Sequence, residues 1–258
     1  MSIEVETLGH VLSIGIRRPE KMNALSRAMF HEIGAALHRL QSEPSLRVAL
    51  VWAEGAHFTS GIDLVDWHDA FRSGQPYPPR AGELDMFGLI GERLTKPVVI
   101  ALQGRCFTWG WEWLLNCDVR VAAQDTRFAM LEVTRGFYAC GGATLRLPRE
   151  IGWANAQRYL LTGDEMPASE ALRLGMVNEL VEPGTQRERA LALAERIAAA
   201  APLGVQGSLQ SARTAWLHGE AAELGEIYPR LARIMGSDDV QEGVRSFIER
   251  RAAVFKGS

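Results

Sequence analysis

Short apolar runs that alternate with stretches of helical spacing constrain this chain more than any single motif does. Val11 to Ile16, Arg47 to Ala53, Lys96 to Leu102 and Asp118 to Ala123 read as strands. A turn follows the first, Arg17 to Asn23, where Pro19 breaks extension. The spacing then predicts a helix: Ser26 is placed to cap it, Met29, Ile33, Leu37 and Leu40 recur along it, and Glu43-Pro44 stops it. After the second strand come a loop from Glu54 to Gly61 and a helical start at Ile62-Asp63-Leu64. Phe71 to Gly82, with Gly74, Pro76, Pro78 and Pro79, has no periodicity and reads as a mobile loop beside a site. A helix is predicted from Glu83 to Leu94, and another opens after Gly104, in Trp109 to Leu115. Strands alternating with helices argue for a layered α/β core with right-handed crossovers.

From about Asn155 onward the strand signal nearly vanishes. Helices are predicted over Ser169 to Leu174, Arg187 to Ala200, Val205 to His218, Ala221 to Met235 and Asp238 to Val254. The pair spanning Val205 to Met235 has more apolar surface than a thin cap can hide, so it is expected to pack on another subunit.

Composition removes several function classes. A chain of 258 residues buries roughly three quarters of its unfolded surface, enough for one large core or a core with a smaller unit. With 28 basic against 31 acidic residues it has no electrostatic footprint for nucleic acid or an anionic membrane. The first residues carry Glu4 and Glu6 where a signal peptide needs base, and no apolar run is long enough to span a bilayer. Cys106, Cys117 and Cys140 form no Cys-x-x-Cys and cannot all pair within one chain, which suits a reducing cytoplasm. His57 and His68 with Asp63, Asp66 and Asp69 lack the ligand spacing of zinc or calcium sites, so no metal is expected.

Two strand-to-helix junctions can carry chemistry. In His57 to Leu64, and again in Phe107 to Glu112, a Gly-bearing turn after a strand opens a helix. The first N–H groups of a helix have no intrahelical acceptor, and the helix dipole adds partial positive charge, so two such donors can converge on one oxygen. Glu112 falls in the first turn of the second helix and Glu132 follows 20 residues later. A carboxyl pair beside a polarised carbonyl suits proton transfer at the adjacent carbons. The residues alone also allow a plainer account, in which Asp63 caps a helix, Glu112 favours a helix N-terminus and Glu132 is solvated.

Taken in order, Arg18 to Leu25, Phe58 to Leu64, Lys96-Pro97-Val98, Glu112 to Asp118, Phe128 to Leu147, Ala168 to Val181 and Glu242 to Lys256 resemble the enoyl-CoA hydratase/isomerase (crotonase) superfamily. The resemblance covers nearly everything from Arg17 to Lys256. It implies a spiral of ββα units over residues 1–200 with an acyl-CoA site, and a helical region over 201–258 that builds trimers or hexamers. It also implies that the backbone N–H groups of Ile62 and Trp109 hold the thioester oxygen, that Glu132 exchanges the proton at C2, and that Glu112 activates the water added at C3. Met22, Ala24, Ser60, Gly61, Asp63, Leu64 and Leu131 are the matching substrate-binding positions, with Phe247 and Lys256 near the nucleotide end of CoA. The implied activity is reversible hydration of a 2-enoyl-CoA, with the CoA thioester as substrate and no cofactor.

The chain also departs from the family pattern. Trp109 stands where the hydratases usually have Gly, which creates strain if the backbone there needs φ > 0. Ala139-Cys140 replaces a usual Pro-Gly and Ala143 another Gly. These departures predict an altered acyl specificity and keep open isomerisation, decarboxylation or hydrolysis of an acyl-CoA, as well as non-catalytic acyl-CoA binding. Cys140 occupies the position of an acid in dienoyl-CoA isomerases and cannot do that acid's work at an ordinary thiol pKa. Trp67, Trp109, Trp111 and Trp113 are candidates for an acyl pocket, with core packing favoured for Trp113.

Overall fold

The structure, a computed structural model, describes residues 2–72 and 77–258. Two strands, β1 (Ile3–Leu8) and β2 (Val11–Ile16), form an antiparallel hairpin. Then come α1 (Arg27–Ser42), β3 (Val48–Ala53), α2 (Leu64–Arg72), β4 (Val98–Leu102), β5 (Arg105–Phe107), α3 (Trp109–Leu114), β6 (Val119–Ala123) and β7 (Arg127–Ala129). A 3-10 turn, Leu131–Arg135, leads into α4 (Ala143–Ile151) and α5 (Trp153–Thr162). The chain continues through β8 (Met166–Pro167), α6 (Ala168–Arg173), β9 (Glu179–Val181) and α7 (Gln186–Ala199). It ends in α8 (Pro202–His218), α9 (Glu220–Leu224), α10 (Ile227–Met235) and α11 (Asp238–Glu249).

A six-stranded sheet has the order β1-β2-β3-β4-β6-β9, all parallel apart from the first hairpin, and a three-stranded sheet has the order β5-β7-β8. Each turn of the chain therefore leaves one strand in each sheet before its helix, as β4, β5 and α3 do. Isolated parallel bridges, Thr59 to Cys106 and Leu25 to Ile62, carry the second layer back through the earlier turns. This is the expected ββα spiral.

Burial explains why the strands read as unbroken apolar runs. All residues of β2, β3 and β4 are buried, because both faces of the large sheet are covered. Leu12, Ile14, Ala49, Val51 and Ile100 face the core shared with α1 and α3. Val11, Val48, Leu50, Val99 and Val121 face α7, whose Ala190, Ala194 and Ala198 let the helix lie close against the sheet. Ser26 caps α1 by accepting the Met29 N–H at 3.3 Å.

Several expectations need correction. The predicted helix from Glu83 to Leu94 is a series of turns and bends. The Asp85 carboxylate accepts the N–H groups of Phe87, Leu89 and Ile90, offering the backbone a partner other than a helix ladder, and Gly88 and Gly91 have φ of 60 and 72°. The segment from Ala221 to Met235 is two helices, α9 and α10. The last helix stops at Glu249, where Arg250 takes a left-handed cap at φ 54°. Residues 73–76 of the expected Phe71 to Gly82 loop lie outside the described residues. Among those described, no helix is long and apolar enough to cross a membrane.

Candidate active site

Two interlocked turns form one wall. The segment after β3 runs beside β5: the Thr59 N–H donates to Arg105 O at 2.9 Å, and the Phe107 N–H donates to Thr59 O at 3.1 Å. Beyond these bonds the chains touch without room for side chains. A Cβ on Gly61, whose φ is 106°, would fall on Thr108 Oγ1, and one on Gly110 would fall on Thr59 Cγ2. Glycine at both positions is therefore what brings the turns together. Ile62 lies two residues before α2 and Trp109 is the first residue of α3, and both line the same cavity of about 340 Å³. Leu25 N–H donates to Gly61 O and Asp63 N–H to Leu25 O, so the parallel bridge turns Ile62's own N–H away from Leu25. Among the described residues neither the Ile62 nor the Trp109 N–H has an acceptor.

The strain expected at Trp109 falls one residue earlier. Thr108 has φ 49° and ψ −116°, while Trp109 is absent from the left-handed residues. A β-branched residue in that region costs on the order of 1–3 kcal/mol.

Glu112 and Glu132 form a second feature. Glu112, one turn into α3, is fully buried; its Oε1 accepts the Ala143 N–H at 3.1 Å, and its Oε2 has no hydrogen-bond partner among the described residues. Ala143 is the first residue of α4, so its N–H is one of the donors a helix start leaves open. A Cβ on Gly141 would sit 2.7 Å from Glu112 Oε2, and one on Gly142 would sit 2.7 Å from Arg146 Nη1. The two glycines thus lie between the Glu112 carboxyl and the buried Arg146, whose Nη2 donates to Phe87 O at 2.6 Å. Glu132 lies in the Leu131–Arg135 turn and lines the cavity, with its Oε2 also unpartnered.

Burial raises both carboxyls: Glu112 is pushed up to about 8, with the neighbouring Glu132 charge adding and the Ala143 N–H opposing. Glu132 is pushed up to about 7 by the same loss of solvent. Two carboxyls poised near neutrality can each take up or release a proton near neutral pH. The Cys140 thiol, which also lines the cavity, is pushed up to about 11 by burial and by the two glutamates, so it stays protonated.

Most of the positions marked in the sequence come together here. Met22, Ser60, Ile62, Leu64, Trp109, Leu131 and Glu132 line the cavity. Ala24, Gly61 and Asp63 stand behind it, where Arg18 Nη1 donates to both Ala24 O and Asp63 Oδ2 at 3.0 Å. Phe247, 85% exposed on α11, and Lys256 do not line it in the single chain. The Lys256 segment is not frayed: Asp239 accepts the Lys256 and Gly257 N–H groups at 2.6 and 2.8 Å.

Of the four tryptophans considered for an acyl pocket, only Trp109 lines the cavity; Trp67, Trp111 and Trp113 are core residues. The Trp109 ring packs edge-on against Trp67 and Phe87, at 4.6 and 4.9 Å between centroids. Phe71, Arg105, Phe107, Arg135 and Phe137 also line the cavity and were not singled out in the sequence. The Gly141-Gly142-Ala143 start of α4 was missed as a clamp on Glu112, although two glycines before a helix mark a place where backbone can approach closely. Among the described residues no group of three or more His, Cys, Asp or Glu is arranged to hold a metal ion.

Paired acids beside open amide donors, on a spiral of this kind, define a class of thioester enzymes, and residues 6–258 match the family model described as Enoyl-CoA hydratase/isomerase. The chain belongs to that family and is an enzyme of the hydratase type. It is 35% identical to enoyl-CoA hydratase EchA19 of Mycobacterium tuberculosis, over 98% of this chain and 95% of that protein. It is 32% identical to (E)-benzylidenesuccinyl-CoA hydratase of Thauera aromatica, with 100% of both covered. A probable enoyl-CoA hydratase/isomerase from Mycobacterium abscessus superposes with a TM-score of 0.97 at 38% identity, covering 100% of this chain and 99% of that one.

Proposed function

We propose that this enzyme adds water reversibly across the C2=C3 bond of a 2-enoyl-CoA thioester. The observation that carries this reading is the pair Glu112 and Glu132, each with a carboxyl oxygen that has no partner among the described residues, at a site where the N–H of Trp109, first residue of α3, and the N–H of Ile62, just before α2, have no acceptor among those residues. In this reading the Ile62 and Trp109 N–H groups hold the thioester oxygen and draw electrons from the double bond, making C3 electrophilic. Ala143 holds one oxygen of Glu112, and the other takes a proton from water as the water oxygen bonds to C3. The resulting enolate takes a proton at C2 from Glu132. The reverse reaction runs the same protons backward, with no metal or redox cofactor required.

The test is direct. Purified enzyme should bleach the conjugated thioester absorbance of a short 2-enoyl-CoA and yield a product heavier by one water. A product of unchanged mass means isomerisation, and no change with any of several enoyl-CoA thioesters defeats the proposal. We further infer a homotrimer or a dimer of trimers, supported by the exposed apolar side chains of Tyr228, Leu231, Met235, Phe247 and Ile248 on the C-terminal helices. Light scattering that gives a monomer at micromolar concentration would defeat it.

A further inference from the structure

The cavity wall holds a cation that the proposed hydration does not use. Arg135 closes the same 3-10 turn that carries Glu132, and it lines the cavity. Its side chain is exposed at the cavity mouth and, among the described residues, makes no hydrogen bond or ion pair, even with Glu132. The other cationic side chain on the wall, Arg105, is already engaged: its Nη1 lies 3.3 Å from Met22 Sδ and its guanidinium lies 5.8 Å from the centre of the Phe107 ring. The rest of the wall is largely apolar, with Ile62, Leu64, Phe107, Leu131 and Phe137. Pairing a guanidinium with a substrate carboxylate there would form a charge-assisted, two-pronged contact.

Resting on the hydratase reading above, we propose that Arg135 is the subsite for a carboxylate at the far end of the acyl group, so that the preferred substrates are CoA monothioesters of unsaturated dicarboxylic acids. Position argues for the acyl end over the phosphates of CoA. Glu132 serves C2, and three residues of a 3-10 turn advance only about 6 Å, which places Arg135 a few carbons from the double bond. The phosphates lie a full pantetheine arm away. The Trp109 indole, packed between Trp67 and Phe87, fills the interior on its side, leaving the Leu131, Arg135 and Phe137 side of the cavity for the acyl chain.

Two thioesters of equal length separate the possibilities: 2-hexenoyl-CoA, and the same chain ending in a carboxylate. The wild type should favour the carboxylated substrate by about tenfold or more in kcat/KM, the scale of a charge-assisted contact. Arg135→Met should erase that preference, lowering kcat/KM on the carboxylated substrate about tenfold more than on 2-hexenoyl-CoA, while Arg135→Lys should restore part of it, because the charge remains but the fork is lost. Equal losses on both substrates would show that Arg135 serves CoA itself, and a wild-type preference for 2-hexenoyl-CoA would show that no carboxylate is read; either overturns the proposal. Should neither thioester be turned over, the hydratase reading fails. Equilibrium binding of the saturated hexanoyl and adipyl thioesters to wild type and Arg135→Met then decides the subsite alone, by the same ratio.

Discussion

The two acids of the site are supported differently: Glu132 lines the cavity, whereas Glu112 is buried behind that lining. Glu112 stands on a helix, fully buried, with one oxygen tied to Ala143 and the other pressed toward Gly141. Glu132, also buried, stands on a single 3-10 turn where it lines the cavity, and its Oε2 has no hydrogen-bond partner among the described residues. Glu112, proposed to aim a small, mobile water molecule, is fixed by two segments of chain, α3 and the Gly141 to Ala143 stretch. Glu132, proposed to meet a large ligand already held at its thioester oxygen, would need less support. The difference teaches that precision has been placed where the substrate supplies none.

Removing either acid should produce the largest effects: Glu112→Gln and Glu132→Gln should each lower kcat by about 10² or more, since in the proposed reaction each handles a proton in the transition state. Equal tolerance of both changes in steady-state hydration assays would break the comparison at once. Gly141→Ala sharpens it, because the new methyl would stand 2.7 Å from Glu112 Oε2 and push the carboxyl aside. A loss of roughly tenfold or more in kcat with little change in KM is expected, and a loose Glu112 would show neither. Next is the pH dependence. Below about 7 both acids hold protons and no base remains, whereas above about 8 both are ionised and no acid remains. The kcat/KM profile should therefore be a narrow bell centred between those values.

The smallest effect is on stability. In the folded protein Glu112 holds its proton up to about 8 rather than its ordinary 4.5, so the folded state loses stability as pH climbs between those values and no further above them. Glu112→Gln escapes that cost. It should melt higher than wild type by about 1–3 kcal/mol equivalent at pH 8.5 and show little advantage at pH 5, read by thermal denaturation at both. An advantage that does not change with pH would mean that Glu112 is not shielded from solvent.

Much of the frame was legible in the chain. Ser26, the Met29 to Leu40 spacing and Pro44 delimit α1 well, and the apolar runs of β2, β3, β4 and β6 stand where expected. What escaped was short or borrowed its order from afar. β5, β7 and β9 have three residues each, too few for any pattern, and exist because neighbouring turns of the spiral offer them partners. The helix expected over Glu83 to Leu94 had suitable residues, but one carboxylate, Asp85, took the backbone donors first. At the site, resemblance supplied Ile62, Trp109, Glu112 and Glu132. Local spacing could not have supplied the clamp from Ala143, because it joins residues 31 apart in sequence.

Thr108 has one more consequence. Because it takes the awkward backbone angles, the residue after it sits in an ordinary helical conformation with an unstrained main chain. The amide of position 109 and its side chain are therefore independent parts: one can be kept while the other is exchanged. A designer could replace the indole with smaller groups to reshape the space offered to the acyl chain and keep the amide, which makes this single position the natural dial for retuning selectivity.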